Sequence, residues 1–373
     1  MNQFHNTDYL FLELIQVTFG TQICLSHTPT ADEWGELYAM AKKQSLVGVC
    51  FAGLQRLQVQ RQEPPEILYL TWMGMAAKIQ QKNETINRQC VEVQKMFLVG
   101  GLETCILKGQ GIGSYYNDDL RLLRQSGDID IWVNGDWRAV MDYVNARTPN
   151  REFDMKHTHL EAFDDTIVEV HWWPSMPVNP LYAKALHRYY TEQAPLQCKH
   201  MVSLPNVEAQ IAAPDAKFET IHVLYHIFNH FLYEGVGLRQ MMDLYFVLVN
   251  GGMTYDDCDE VARVAKEVGL ARFAPAAMWV LEQVFGMDAS VAFCKEDSQL
   301  GQVLLNEIIE GGNFGHDSKE NKVYNEGFMK RMARRLKRRI RLVKYNPVGL
   351  LCSPFTKIRI MLWKRMVIKK YNL

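Results

Sequence analysis

The sequence predicts an α+β protein: a small mixed β-sheet core with its own helices, flanked by N- and C-terminal helical regions. Three observations carry this. Long stretches on both sides repeat apolar residues at three- and four-residue spacing. A central stretch, 103–173, alternates short apolar strands with glycine turns and helical runs. With 373 residues, 48% of them hydrophobic and 22% charged, the chain can build real cores in two or three lobes.

Residues 6–58 read as helices: DYLFLELIQV first, then WGELYAMAKK behind a capping pair of Thr30 and Glu33, then LVGVCFAGLQRL. Pro64-Pro65 suits a helix start, and the proline-free stretch to Val99 reads as one or two helices. ETCILKG reads as a strand running into a glycine turn, GIGSYY as a helix start, and DIDIWV as a strand. Gly135-Asp136 leads into the helix WRAVMDYVNA, and HLEAFDDTIVEVHWW reads as a hairpin turning at Asp164-Asp165. Helical patterns return in KFETIHVLYHIFNHFLYEG, LRQMMDLYFVLVN, DDCDEVARVAKEVGL and ARFAPAAMWVLEQVFG, with a loop expected from GGNFG at 311–315 to Asn325. The division that follows is 1–99 helical, 100–177 sheet core, 178–325 helical lobe and 326–373 basic amphipathic segment.

Eight scattered cysteines without a CxxC pair argue for reduced thiols and a cytoplasmic setting. The N-terminus lacks the basic and apolar regions of a signal peptide, and no apolar run reaches the roughly 18 residues of a membrane span. The net charge of -1 conceals an asymmetry. Fifteen of the 41 Lys and Arg fall in 330–373, where there is no Asp or Glu, so the remaining 26 face all 42 acidic residues. This basic end has three readings: contact with an anionic membrane surface, contact with nucleic acid, or docking on the acidic body. The acidic body disfavours nucleic acid as the main partner.

The chemistry concentrates in Leu107–Val133. Asp128 and Asp130 flank Ile129 on a strand, so both carboxylates point to one face while Ile129 and Ile131 point to the other. Two carboxylates so placed repel unless a cation lies between them, and hard oxygen donors suit Mg²⁺. Glu169, in IVEVHWW, would join them if the two strands are neighbours, with His171 on the same face. Taken alone, an Asp-x-Asp pair is most often a solvated strand face.

LKG (107–109), RQSGDIDIWV (124–133), VEVHW (168–172) and GLRQMMDL (237–244), in that order, resemble the bacterial family labelled uncharacterised nucleotidyltransferase, within the polymerase-beta-like nucleotidyltransferase superfamily. The resemblance implies a nucleotidyltransferase core moving a nucleoside monophosphate from ATP or another nucleoside triphosphate to an acceptor, a small molecule or a lipid- or polymer-linked group. It implies Asp128, Asp130 and Glu169 as catalytic Mg²⁺ ligands and Gly109 as the glycine that approaches the triphosphate. Gln110 stands where the superfamily has Gly or Ser, so the phosphate cradle formed with Lys108, Gly109 and Gln110 departs from the pattern. Lys108 and Arg124 are candidates for neutralising phosphate charge, the arginine bidentately.

Each has a plainer alternative. Lys108 can be a surface lysine, Arg124 can pair with Asp118 or Asp119, and His171 fits a packing or supporting role better than a ligand role. His222, His226 and His230 recur every four residues, but the Phe- and Tyr-rich helix favours partly buried or substrate-facing imidazoles over zinc. Arg239 and Asp243, four apart, suit a helix ion pair. The absence of kinase and Walker sequences disfavours phosphoryl transfer. The competing class is a catalytically inactive binding or scaffold protein that keeps the fold.

Overall fold

The computed structural model describes residues 5–148, 152–177, 179–313, 336–338 and 340–371. It is α+β, as the periodicities predict. Three helices, α1 (Asn6–Phe19), α2 (Ala31–Lys43) and α3 (Val47–Leu57), open the chain. Thr30 caps α2 by accepting from the Glu33 amide, and Glu33 returns the bond to the Thr30 amide. The stretch after Pro65 is a single helix, α4 (Glu66–Val99), 34 residues and about 50 Å long.

That length lets α4 serve two cores. Its first turns bury Trp72 and Ala76 among the N-terminal helices. Its last turns line up Ile86, Cys90, Val93 and Phe97 at helical spacing and press them onto the sheet.

The sheet has four strands, β1 (Thr104–Leu107), β2 (Ile129–Val133), β3 (His157–Leu160) and β4 (Val168–His171), in the order β1-β2-β4-β3. β1 and β3 run antiparallel to their neighbours, while β2 and β4 are parallel. Its apolar face carries Ile106, Ile129, Ile131, Val133, Val168 and Val170 against α4 and α6 (Trp137–Asn145), the latter capped by Asp136. The opposite face carries Trp132, stacked on Phe218 with ring centres 5.3 Å apart.

Between β1 and β2 the predicted helix start is a five-residue helix, α5 (Gly109–Gly113), followed by turns. Its glycines are poor helix propagators, which keeps it short. Gly111 also packs against β1: a Cβ there would lie 2.4 Å from the Ile106 carbonyl oxygen.

The helical lobe contains α7 (Ala183–Gln197), the two-residue strands β5 (Met201–Val202) and β6 (Ile211–Ala212), and then α8 (Ala216–Tyr233), α9 (Leu238–Asn250), α10 (Tyr255–Glu267), α11 (Ala274–Phe285) and α12 (Ser298–Gly311). α7, the β5–β6 pair and α12 go beyond the individual elements the sequence predicted. The expected loop lies outside the described residues from 314 onward. The basic end contributes helical residues at 336–338 and 340–341, and α13 (Pro347–Tyr371). Among the described residues no helix is long and apolar enough to cross a membrane.

Two of the three glycines of α5 give a paired expectation. Gly111→Ala drives a methyl into the β1 backbone and is expected to destabilise the fold by about 1–3 kcal/mol. Gly113→Ala, where an added Cβ meets nothing within 4 Å, should be neutral or stabilising. Denaturant midpoints of the two variants check this.

Candidate functional site

Strand register builds the site. Leu107 pairs with Asp130, Asp130 with Glu169, and Glu169 with His159, so these four form one row across the sheet. The next row on the same face runs Cys105, Trp132, His171, His157. The row between them, Ile106, Ile131, Val170 and Thr158, faces the other way. Two acids and three imidazoles therefore gather on one face because an apolar core holds the alternate residues.

Asp130 is buried, and a single oxygen receives two cationic partners: Lys108 Nζ and His171 Nε2 each lie 2.8 Å from Oδ1. Burial alone would raise its carboxyl, but Lys108 and His171 outweigh it and hold it well below the usual range. Burial likewise works against the Lys108 ammonium, yet the charges of Asp130, Asp128 and Glu169 raise its proton affinity. His171, fully buried, is raised as well: hydrogen bonds to Asp130 and Glu169 overcome the loss of solvent. Burial opposes the Glu169 carboxylate too, but the His171 hydrogen bond and charge, with His157, bring it to about 2. His157, in the same cluster, falls to about 3, chiefly through burial and then through His171.

Asp128 lies one residue before β2 and is exposed. The charge of Asp130 pushes its carboxyl up, so the two acids sense one another as the alternation requires. The groups whose donor atoms meet within 4.8 Å are Asp130, Glu169 and His171, and His157, His159 and Glu169. Asp128, expected as a third ligand, belongs to neither of these groups among the described residues.

Lys108 forms the bend. Its backbone has φ 49° and ψ -149°, a strained setting for a residue with a side chain, followed by Gly109 at φ 35°. Its amide donates to Glu219 Oε1 of α8 at 3.2 Å, and the other Glu219 oxygen meets His222 Nδ1 at 2.9 Å. The α8 imidazoles make no metal group among the described residues. His222 is buried against Glu219, and His226 and His230 pack edge to face, 4.3 Å apart.

Gln110 and Arg124 lie behind this surface. Gln110 is buried; its Nε2 donates to Asn87 of α4, and its Oε1 accepts from Ser126 Oγ at 2.9 Å. Arg124 donates to Ser126 Oγ at 3.0 Å and grips both oxygens of Asp243 at 2.7 Å. Asp118 and Asp119 pair instead with Arg121 and Arg56. Asp243 is committed to Arg124 and the Tyr116 hydroxyl, while Arg239 holds the Gln125 carbonyl at 2.6 Å. The result is a network from α9 through Arg124, Ser126 and Gln110 to α4, which fixes the loop that carries Asp128.

His157 and His159 were missed in the sequence, although HTHL shows the same alternation as DID.

The Arg124–Asp243 pair is 6% and 5% exposed, so breaking it leaves a buried charge. Asp243→Leu is expected to lower stability by about 3–5 kcal/mol, and Arg124→Met in the same chain to recover most of it. Chemical unfolding of the single and double variants measures both.

No curated protein and no solved structure matches the chain. One family model does, over residues 30–286, a span that holds every residue of the site. The chain belongs to the uncharacterised nucleotidyltransferase family.

Proposed function

We propose that the protein is a Mg²⁺-dependent nucleotidyltransferase that transfers a nucleoside monophosphate from a nucleoside triphosphate to a small-molecule or lipid- or polymer-linked acceptor. The observation that carries this reading is the register of Asp130 opposite Glu169, beside the strained Lys108–Gly109 bend. The donor set fits the metal: Asp130 and Glu169 share one face, Asp128 lies one residue before β2, and the repulsion that raises Asp128 is one a divalent cation would relieve. Asp128, Asp130 and Glu169 would hold Mg²⁺, which supplies neutralisation of the charge growing on the α-phosphate and the leaving group.

The chain's own residues divide the remaining tasks. The acceptor oxygen bonds to the α-phosphorus as the α–β bridging bond breaks, and pyrophosphate leaves with the electron pair. Gly109 lets the backbone approach the phosphates, and the first amides of α5 can donate to them. Lys108 brings a held positive charge to the same place. The acceptor proton suits Asp128, which is exposed, better than Glu169, whose carboxylate at about 2 is a weak base suited to holding a cation. Gln110 and Arg124 act from behind, by holding the loop.

One observation favours the inactive-scaffold reading: the Lys108 ammonium already satisfies Asp130 without any ion. Calorimetry with ATP, GTP, CTP and UTP separates the two. The transferase reading expects Mg²⁺-dependent binding of at least one nucleotide, abolished by Asp128→Asn, and pyrophosphate release once an acceptor from cell extract is added. Binding of no nucleotide would favour the scaffold, and release of a nucleoside diphosphate would mean phosphoryl transfer.

A lipid-linked acceptor would be met on α13. Its outward side carries Ile358, Met361, Leu362 and Met366, all exposed, beside Arg359, Arg365 and Lys369. That mixture suits an anionic lipid surface. The protein is then expected to sediment with anionic liposomes at low salt and less at physiological salt; no pelleting under either condition ends this part of the reading.

A further inference from the structure

The acid row and the row beside it together present a second set of ligands. His157 and His159 occupy alternate positions of β3, so both rings leave one face; they lie parallel, centres 5.5 Å apart and planes 11° apart. Glu169 faces them from β4 with one oxygen toward each ring: His157 Nδ1 is 3.5 Å from Oε2, and His159 Nε2 is 3.8 Å from Oε1. One donor atom from each of the three lies within 4.8 Å of the others. The side chains keep 13%, 26% and 20% exposure for His157, His159 and Glu169, enough for an ion to reach them. His157 Nδ1 is buried and makes no hydrogen bond.

These separations are long for hydrogen bonds, which close to about 2.9 Å. They approach the roughly 3.3–3.5 Å between ligand atoms of a tetrahedral ion with bonds of about 2.0–2.2 Å. Two imidazoles and one carboxylate, with a side open to solvent, make a donor set for a first-row transition metal; magnesium prefers oxygen throughout. His171 Nε2, 2.8 Å from Asp130 Oδ1 and 3.3 Å from Glu169 Oε2, orients the two carboxylates and is not needed as a ligand.

We propose that His157, His159 and Glu169 form a metal site for a divalent transition metal of the Mn²⁺ to Zn²⁺ series, distinct in its nitrogen donors from the Mg²⁺ position. Glu169 is common to both, so it would stand between an oxygen-lined position and a nitrogen-lined one.

The test uses the full chain, stripped with chelator and titrated with Co²⁺ under visible spectroscopy, then with Zn²⁺ by calorimetry. Wild type should show saturable d–d bands of mixed nitrogen and oxygen ligation. His159→Ala, the most exposed of the three, should weaken Co²⁺ binding by at least the roughly 10–100-fold that loss of a supporting partner alone brings. His157→Gln should do the same, with circular dichroism checking its fold. Cys24→Ser, which removes an exposed thiol, should leave the bands unchanged. The proposal is overturned if wild type gives no Co²⁺ bands, or if both histidine variants keep them intact. The bands are read without nucleotide or acceptor, so a failure of nucleotidyl transfer is read separately.

Discussion

The site depends on one registry, the parallel pairing of β2 with β4 that sets Asp130 opposite Glu169. Side chains alternate along a strand, so a slip of one residue would turn Glu169 into the apolar face and bring Val168 or Val170 to the surface. What forbids the slip is the layer on the other side. Ile129, Ile131, Val168 and Val170 are all within 2% of full burial against α4 and α6. The polar cluster thus inherits its precision from a hydrophobic contact it does not touch. The long helix α4 matters for the same reason: it joins the N-terminal core to this layer, so a helix without chemistry of its own sets where the acids stand.

Gathering carboxylates on a half-covered surface has an electrostatic requirement. Asp130 is 4% exposed, and a lone charge there would lose most of its hydration. Lys108 and His171 supply the compensation, and the neighbours of Lys108 hold it in place. Its left-handed backbone carries strain of roughly 1–3 kcal/mol. The bond from its amide to Glu219, itself buried with His222, and the ammonium contact with Asp130 hold it there. The chain His222, Glu219, Lys108, Asp130, His171 adds polar and charged contacts to the apolar packing of Trp132 on Phe218 in coupling the helical lobe to the sheet. That coupling places the strain at the bend where a polyphosphate would approach.

Much of this was legible in the sequence because it is local. The alternation in DID and EVH assigns Asp130, Glu169 and His171 to one face, and Thr30 with Glu33 announces a helix start. What sequence spacing does not carry is the partner of a distant charge. Arg124 lies 119 residues from Asp243, and nearer acids on the chain drew the guess instead. The Arg239–Asp243 pairing failed for the opposite reason: a four-residue spacing permits an ion pair, but a bidentate guanidinium from another element competes better for the carboxylate. Gln110 looked like a substitution in a phosphate loop, whereas its side chain turns inward to Asn87 and Ser126. Local pattern places a residue on a face; which distant element covers that face is a tertiary matter.

The basic end shows the same division. Its charge suggested an electrostatic clamp on an acidic body, yet the described contacts are mainly aromatic. Trp363 of α13 packs within about 6 Å of Trp137, Phe153 and Trp172, Val367 is fully buried, and the Tyr371 hydroxyl donates to Asp142 at 2.7 Å. Lys364 and Lys370 lie over the Phe153 and Trp137 rings at 5.7 and 5.4 Å, so part of the cationic charge is spent on aromatic faces. Ion pairing enters farther up, where Arg338 and Arg341 converge on Glu307 at 3.1 and 2.6 Å. Trp172 directly follows β4, and Phe153 precedes β3. The helix therefore braces the two strands that carry Glu169, His157 and His159, and its basic composition leaves its outward side cationic while its inward side is held by rings. The positive charge is then a property of the surface this helix offers, and the attachment that places it there would survive a change of salt.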